Sequence, residues 1–553
     1  MNLVKFIPSK SHNWINYNIK NFNIWITSDN EIKIIKNIIE SLNKAKLIDH
    51  HFIKNLLNNI NGHFRLLVIH KDWAFSAVDV CRSYPIFWKE TEKGFILSNQ
   101  AKTIADNHES NINSNQRLSF QMSGYTIGDS TLWSEIKNMN CGEFIIFKKN
   151  NMHVNYKHFT YKPWIKNELK HKKLKSMLKI KISEILKNLI KQANGRTIAI
   201  PLSAGLDSRL IASGLKQMGY INVKCFSYGL KNNFESKASK RISEALGFKW
   251  QFVEININSA EKYYRSKEYS NFFYSCNDGC ATPGIQDAYV TKYLIDSGFL
   301  KKDDLIVNGN SGDFISGGHI PNIANDWDKE INKIEVIDII FKEHYAKHYS
   351  LWRKLLNNSN KIIIKNEIKK QISNIAIKDD KKVMPHGILE SIEYENRQAK
   401  YVINFQRVYD YYKLKWALPL WDKSFIEFWA KVPLKYKIKQ NLYKEVLKEL
   451  NMGGVWTKDY NFKYKISPYW ISIIRSILKV PFIILGKNRW HNFDNKFISY
   501  WTDILGGQCI MPYSAIIKNK NGPRHFVAWH TLYAEQKALK NNWQNLKINK
   551  LNE

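Results

Sequence analysis

Residues 196–220 read RTIAIPLSAGLDSRLIASGLKQMGY. Ile198 to Leu202 is a short apolar run of strand size, Ser203 to Gly205 is a turn, and from about Asp207 the apolar residues fall at helical spacing. The next segments repeat the alternation: NVKCFSYG reads as a strand, ESKASKRISEALG as a helix closed by Gly247, and KWQFVEI as a strand. Strands alternating with helices predict a parallel sheet covered on both faces, with ligands at the carboxyl ends of its strands.

The turn itself predicts a function. A strand that ends in Ser-x-Gly-x-Asp-Ser at a helix start places free backbone N–H groups and the Ser203 and Ser208 hydroxyls around an anion, and the helix dipole favours negative charge there. Asp207 adds a carboxylate of the kind that holds Mg²⁺ on a bound phosphate. No G-x-x-x-x-G-K-[ST] occurs, which excludes a Walker-type loop.

Working outward, residues 1 to about 160 read as a β-rich unit, with strand-sized runs such as NFNIWIT, HFRLLVI, WAFSAVDV and EFIIF. EIKIIKNIIESLNKAKL and DHHFIKNLLNNI fit helices within it. From about 165 the texture becomes helical and Lys-rich, which sets the expected domains as 1–160 and 165–553, mostly helical from about 325. YWISIIRSILKVPFIILGKNRW, 469–490, carries the basic and aromatic marks of a membrane-surface helix; interrupted by Pro481, it reads better as a buried helix pair.

The composition bounds the rest. The chain has 553 residues, 44% of them hydrophobic, and six Cys without regular spacing, which argues against disorder and against a small disulfide scaffold. The start, MNLVKFIPSKSHNW, lacks the apolar core of a signal peptide, and no run approaches the ~18 apolar residues of a membrane span. A cytoplasmic protein without stable membrane insertion is expected. The charge of +35, from 84 basic against 49 acidic residues, would suit a nucleic-acid binder, yet 71 of the basic residues are Lys and only 13 Arg. Arg is the residue suited to phosphate and base recognition, so the Lys excess reads as a solvated surface and no nucleic-acid partner is expected. Cys276 and Cys280, in C-x₃-C without two further ligands nearby, are poor evidence for zinc.

Ser203 to Ser208 resembles the pyrophosphate loop of the ATP pyrophosphatases, and the chain looks like the asparagine synthetase family within that group. Asn308-Gly309-Asn310-Ser311-Gly312-Asp313-Phe314-Ile315-Ser316-Gly317-Gly318-His319, following the strand Asp304 to Val307, resembles the family's S-G-E-G-S-D-E-x-x-G-G-Y. Pro419-Leu420-Trp421-Asp422 resembles its P-F-L-D, and Lys458 in VWTKDYNF its R-x-K-E. Asn61-Gly62-His63-Phe64, Asp79-Val80-Cys81-Arg82, Gly124-Tyr125 and Cys141-Gly142-Glu143 resemble later parts of the family's glutaminase domain.

The resemblance implies an α/β protein: an amino-terminal sandwich of the glutaminase type, then a doubly wound ATP pyrophosphatase domain with a helical carboxy-terminal part. ATP is the implied cofactor, touching Ser203, Ala204, Gly205, Leu206, Asp207 and Ser208 with its phosphates, and Leu202, Phe226, Ser227, Tyr228, Gly229, Asn308 and Gly309 with base and ribose. Asp207 and Asp313 are the implied Mg²⁺ ligands, and Lys458 the residue that neutralises charge as a carboxylate attacks the α-phosphorus. Two departures stand out. Complete family members begin Met-Cys, whereas position 2 is Asn2, so the glutaminase half is expected to be an inactive scaffold; Cys81 and Cys141 are not at a terminus where an α-amino group could act as base. Asn310 replaces a Glu that can act as a base, which leaves His319, in the place of the family's Tyr, as a titratable substitute.

The expected activity is ATP-dependent amide formation from a carboxylate and ammonia or an amine. A sugar acid is favoured because N-G-x-S-G-D-x-I-S-G-G-H resembles members associated with surface-polysaccharide synthesis. A β-lactam synthetase or lasso-peptide cyclase type of ligase, a tRNA-modifying pyrophosphatase and a non-catalytic scaffold are the alternatives, and a homodimer stays open.

Overall fold

The computed structural model describes residues 3–9, 14–19, 21–28, 31–44, 48–375, 381–457 and 469–539. Its amino-terminal part holds a six-stranded antiparallel sheet, in the order Met152–Lys157, Glu143–Lys148, Trp73–Val78, Phe64–Ile69, Phe22–Ser28, Ile15–Ile19. A four-stranded sheet faces it, in the order Val4–Phe6, Gly94–Ser98, Phe87–Thr91, Lys137–Asn138. Phe64–Ile69 shows why its strand reads as continuous apolar sequence. Leu66 and Val68 point to a core shared with the helices Glu31–Lys44 and His50–Asn58, while Leu67 points to a core shared with Val4, Trp88 and Leu97 of the facing sheet. Both faces are covered, so the usual polar alternation is absent.

The helix His171–Ala193 leads into a third sheet, whose five strands are all parallel. Their order is Lys249–Glu254, Val223–Gly229, Ile198–Pro201, Leu305–Val307, Lys415–Ala417. The chain builds outward from Ile198–Pro201 first to one side and then to the other, so the strand order reverses between it and Leu305–Val307. A crevice opens at such a reversal because the two connecting segments leave in opposite directions. The mixed α/β class, the amino-terminal β-rich region and the parallel sheet follow the sequence reading. The edge strand Lys415–Ala417 was not singled out; it lies within a stretch read as mostly helical.

Residues 469–490 correct an expectation. Of the helix Tyr469–Lys479 only Ile471 is buried, and the short helix Phe482–Leu485 buries none of its residues. Helical periodicity reveals an apolar face but does not reveal what covers it.

Among the described residues, two segments are π-helical, Phe314–Gly318 and Tyr394–Val402. The second continues the helix Pro385–Glu393 and couples the two halves of the molecule. On one side Tyr394 donates to the Val80 carbonyl, Lys157 pairs with Glu395, the Gly128 N–H donates to Asn396 at 3.0 Å, and Lys400 donates to the Thr126 carbonyl at 2.9 Å. The wider turn of a π-helix turns neighbouring side chains to both sides, a feature common at functional sites.

Candidate active site

At the strand reversal, the Leu202 N–H donates to the Phe226 carbonyl at 2.9 Å and extends the sheet by one residue. The loop then closes on itself: the Ser203 N–H donates to Ser208 Oγ at 3.1 Å, and the Gly205 N–H to Ser203 Oγ at 3.1 Å. Arg209 donates to the Ala204 carbonyl at 2.6 Å while its guanidinium lies over the Trp456 ring. Gly205 caps the helix Leu206–Gln217 without any side-chain hydrogen bond, so the first-turn N–H groups keep their capacity for an anion.

The second loop crosses directly over this turn. A Cβ on Gly309 would lie 2.7 Å from the Ser208 nitrogen, and one on Gly312 would lie 2.3 Å from Asp207 Oδ1. Only glycine allows so close an approach. The Asp313 N–H therefore reaches Asp207 Oδ2 at 2.9 Å, and Tyr443 donates its hydroxyl to Asp207 Oδ1 at 3.0 Å. Burial, then the charge of Asp313, push the Asp207 carboxyl up to about 8. Its oxygens meet a hydroxyl and a backbone N–H rather than a cationic side chain. We expect Gly312→Ala to displace Asp207, leaving a folded protein destabilised by about 1–3 kcal/mol that no longer gains thermal stability from ATP with a divalent cation. A thermal-shift titration checks this.

Asp313 opens to the crevice, and its Oδ2 lies 3.0 Å from His319 Nε2. The His319 Nδ1 side meets Glu393, a carboxylate 3% exposed. Around Glu393 gather His348 Nε2 at 3.2 Å, Lys347 Nζ at 3.7 Å, an Arg397 guanidinium nitrogen at 3.6 Å, and the Gln398 amide at 3.0 Å. Burial opposes ionisation of His319, but Glu393 and Asp313 on either side override it and raise the imidazole to about 9. Burial likewise disfavours the Glu393 anion, yet His348 and His319 hold it well below the usual carboxylate range. His319 is thus an imidazolium at neutral pH, with both ring nitrogens carrying protons. In that form it supplies positive charge beside Asp313.

On the side facing Val223–Gly229, the Tyr228 hydroxyl donates to Asp287 at 2.5 Å, and Asn308 donates to the Gln406 side chain at 3.0 Å. Ser227 Oγ, by contrast, is buried with no hydrogen-bond partner among the described residues. A buried hydroxyl left this way is costly unless a ligand completes it. The uncapped helix start and this hydroxyl fit the phosphates and sugar or base of a nucleotide. The raised Asp207 carboxyl next to a second carboxylate fits a hard divalent cation shared with phosphate oxygens, because such a cation restores the ionised form. Lys458 lies outside the described residues, as does Asn2.

Sequence reading missed Glu393, Arg397, Gln398, His348 and Tyr443. A signal was present: PHGILESIEYENRQAKYV, 385–402, is buried almost throughout yet carries Glu390, Glu393, Glu395 and Lys400. Buried charges need partners, and here the partners are the site and the amino-terminal half.

A cavity of about 630 Å³ separates Asn61, Gly62, His63 and Asp79 of the amino-terminal half from Gln192, Trp421 and Lys423 opposite. His63, Asp79 and Cys81 each bring one ligand atom within 4.8 Å of the others. Asp79 already accepts from the N–H groups of Phe64, Cys81 and Ser83, which is the pattern of a structural carboxylate. Burial, then Asp79, raise the Cys81 thiol well above its ordinary value, which disfavours the thiolate. Cys276 and Cys280 are buried thiols pushed up to about 12, Cys276 directed at the Arg407 carbonyl and Cys280 at the Arg82 guanidinium.

The stretch that builds this crevice, residues 181–453, matches the family model described as asparagine synthase. This is the part of the chain that is similar to asparagine synthase. No curated protein sequence matches the chain at a significant level. Among solved structures, glutamine phosphoribosylpyrophosphate amidotransferase from B. subtilis, complexed with ADP and GMP, is similar at 8% identity and a TM-score of 0.19. The match covers 53% of this chain and 63% of that one, and at this level it says nothing of residue roles. The asparagine synthase match spans just under half of this chain. Both loops of the crevice and every partner named around Asp207 and Glu393 lie within it.

Proposed function

We propose that the asparagine synthase domain adenylates an anionic carboxylate acceptor and transfers ammonia to it, with the amino-terminal half as scaffold rather than glutaminase. What carries the reading is the crossing of the two loops at Asp207, which sets two carboxylates against the uncapped start of Leu206–Gln217. ATP phosphates lie over Ser203 to Ser208, and Ser227, Tyr228, Gly229, Asn308 and Gly309 border its base and ribose. Mg²⁺ held by Asp207 and Asp313 would supply charge neutralisation to the pyrophosphate. The acceptor carboxylate attacks the α-phosphorus, the bond to pyrophosphate breaks, and an acyl adenylate forms. Ammonia then attacks the acyl carbon and AMP leaves. Lys458 is the proposed charge partner of the first step, and the His319 imidazolium, held by Glu393, adds positive charge at the Asp313 end.

The acceptor is proposed to be a sugar acid. Arg397 and Lys347, both partly exposed beside Glu393, present cations at the same edge, which suits an anionic acceptor. The scaffold reading is supported by the Cys81 thiol, which burial and Asp79 hold well above its ordinary value. Pyrophosphate release from ATP, measured across a panel of carboxylates including uronic acids, tests all three parts. Turnover is expected with ammonia and none with glutamine alone. Efficient glutamine use would overturn the scaffold, and turnover with no added amine would assign a ligase that uses an amine within its own substrate.

A further inference from the structure

The helices Tyr469–Lys479 and Phe482–Leu485 form a bent arm whose outer side is apolar. Trp470 is 56% exposed, Ile473 49%, Ile477 65%, Val480 60%, Ile483 77% and Ile484 92%. Residues 470, 473, 474 and 477 share a helix face, and the exposed 483 and 484 follow in the next helix, just after Pro481. The arm is held in place from its inner side. Ile471 packs with Trp490 and Ile498, Phe482 lies against the rings of Trp490 and Phe493, and Arg475 pairs with both oxygens of Asp494 at 2.7 and 2.6 Å. Fixed from below and bare above, a patch of this kind marks an interaction surface.

Charge selects the occupant. Between Asp459 and Asp494 there is no Asp or Glu, and with Arg475 committed to Asp494, exposed Lys479, Lys487 and Arg489 rim the apolar surface of a chain already at +35. A second copy would set these cations against their own counterparts across a two-fold axis. An anionic lipid surface instead matches both features: apolar side chains enter the acyl boundary, the cations meet headgroup phosphates, and Trp470 and Tyr469 sit at the level where aromatic rings partition. No helix among the described residues is long and apolar enough to cross a membrane, so the contact lies in the plane of one leaflet. We propose that residues 469–489 dock the protein on an anionic membrane surface. The arm is tied to the asparagine synthase domain, because the same lobe brings the Ile504 carbonyl within 3.4 Å of the Cβ position of Gly229. The proposal does not depend on the ligase reading.

The test is flotation of the full chain with phosphatidylcholine vesicles and with vesicles containing about one third phosphatidylglycerol. Binding is expected to the anionic vesicles, weakening with salt. Ile477→Asp combined with Ile484→Asp should lower it at least ~10-fold, and Lys487→Glu with Arg489→Glu by about 5-fold for each cation removed. Both variants should keep the wild-type melting temperature, since none of the four side chains is buried. Absence of wild-type binding to either vesicle, or binding that survives Ile477→Asp with Ile484→Asp, would overturn the proposal. So would self-association in sedimentation velocity that the same variant abolishes while no vesicle binding occurs, which would make the arm a contact between copies.

Discussion

Asp207→Asn is expected to lower pyrophosphate release from ATP by roughly 10²- to 10³-fold, with the protein still folded. The wild-type carboxylate accepts two hydrogen bonds, one from the Tyr443 hydroxyl and one from the Asp313 N–H. An amide keeps one acceptor oxygen and turns a donor NH₂ towards whichever partner lies on the other side. If that partner is the Asp313 N–H, two donors meet and the second loop is pushed off the first. If it is Tyr443, the hydroxyl can rotate and accept, and the loops stay crossed. In either case the charge proposed to bind the cation is gone. Pyrophosphate release and a thermal-shift titration with ATP, each with and without Mg²⁺, separate the outcomes. Activity that survives Asp207→Asn and Asp207→Ala would sink the assignment of the loop.

Glu393→Gln is expected to cost about 3–5 kcal/mol of stability, because it removes the one anion around which His319, His348, Lys347 and Arg397 are gathered. The loss depends on pH in a direction the structure dictates. His319 is raised to about 9, so its contribution is fully present below its ordinary value of 6.5 and fades as pH rises through about 9. The gap in unfolding free energy between wild type and Glu393→Gln should therefore be widest below pH 6.5 and narrow towards pH 9. Denaturant unfolding of both proteins across that range, without nucleotide or divalent cation, reads it directly. A gap that is constant with pH would mean that His319 is not held as an imidazolium.

How much of this was legible beforehand depended on how far apart the partners lie along the chain. The loop at Ser203 to Ser208 could be read because strand, turn and helix start are contiguous, and a backbone that must present N–H groups leaves its mark in Gly and Ser within a few residues. Gly309 and Gly312 were visible as a pattern, but their reason was not: each is glycine because Asp207 or Ser208, about a hundred residues earlier, lies where a side chain would be. His319 was visible as a titratable residue, but the carboxylate that raises it was not, since Glu393 is brought to it only by the helix Pro385–Glu393. Residues 469–490 failed in the opposite sense. Their apolar spacing was plain, and burial was inferred from it, whereas the fold places nothing described over that face.

By itself, then, the sequence determined the alternation that makes a parallel sheet, the anion-binding turn at its first strand, and the absence of a Walker loop. These are properties of short segments, governed by local backbone geometry and by periods of 2 and 3.6 residues. The tertiary structure alone decided which side chains share a field: Asp207 with Asp313, His319 with Glu393, and the π-helix Tyr394–Val402 with both halves of the molecule. It also decided which apolar face was left open. Protonation and exposure depend on neighbours in space, and those neighbours are set by packing that no single segment encodes.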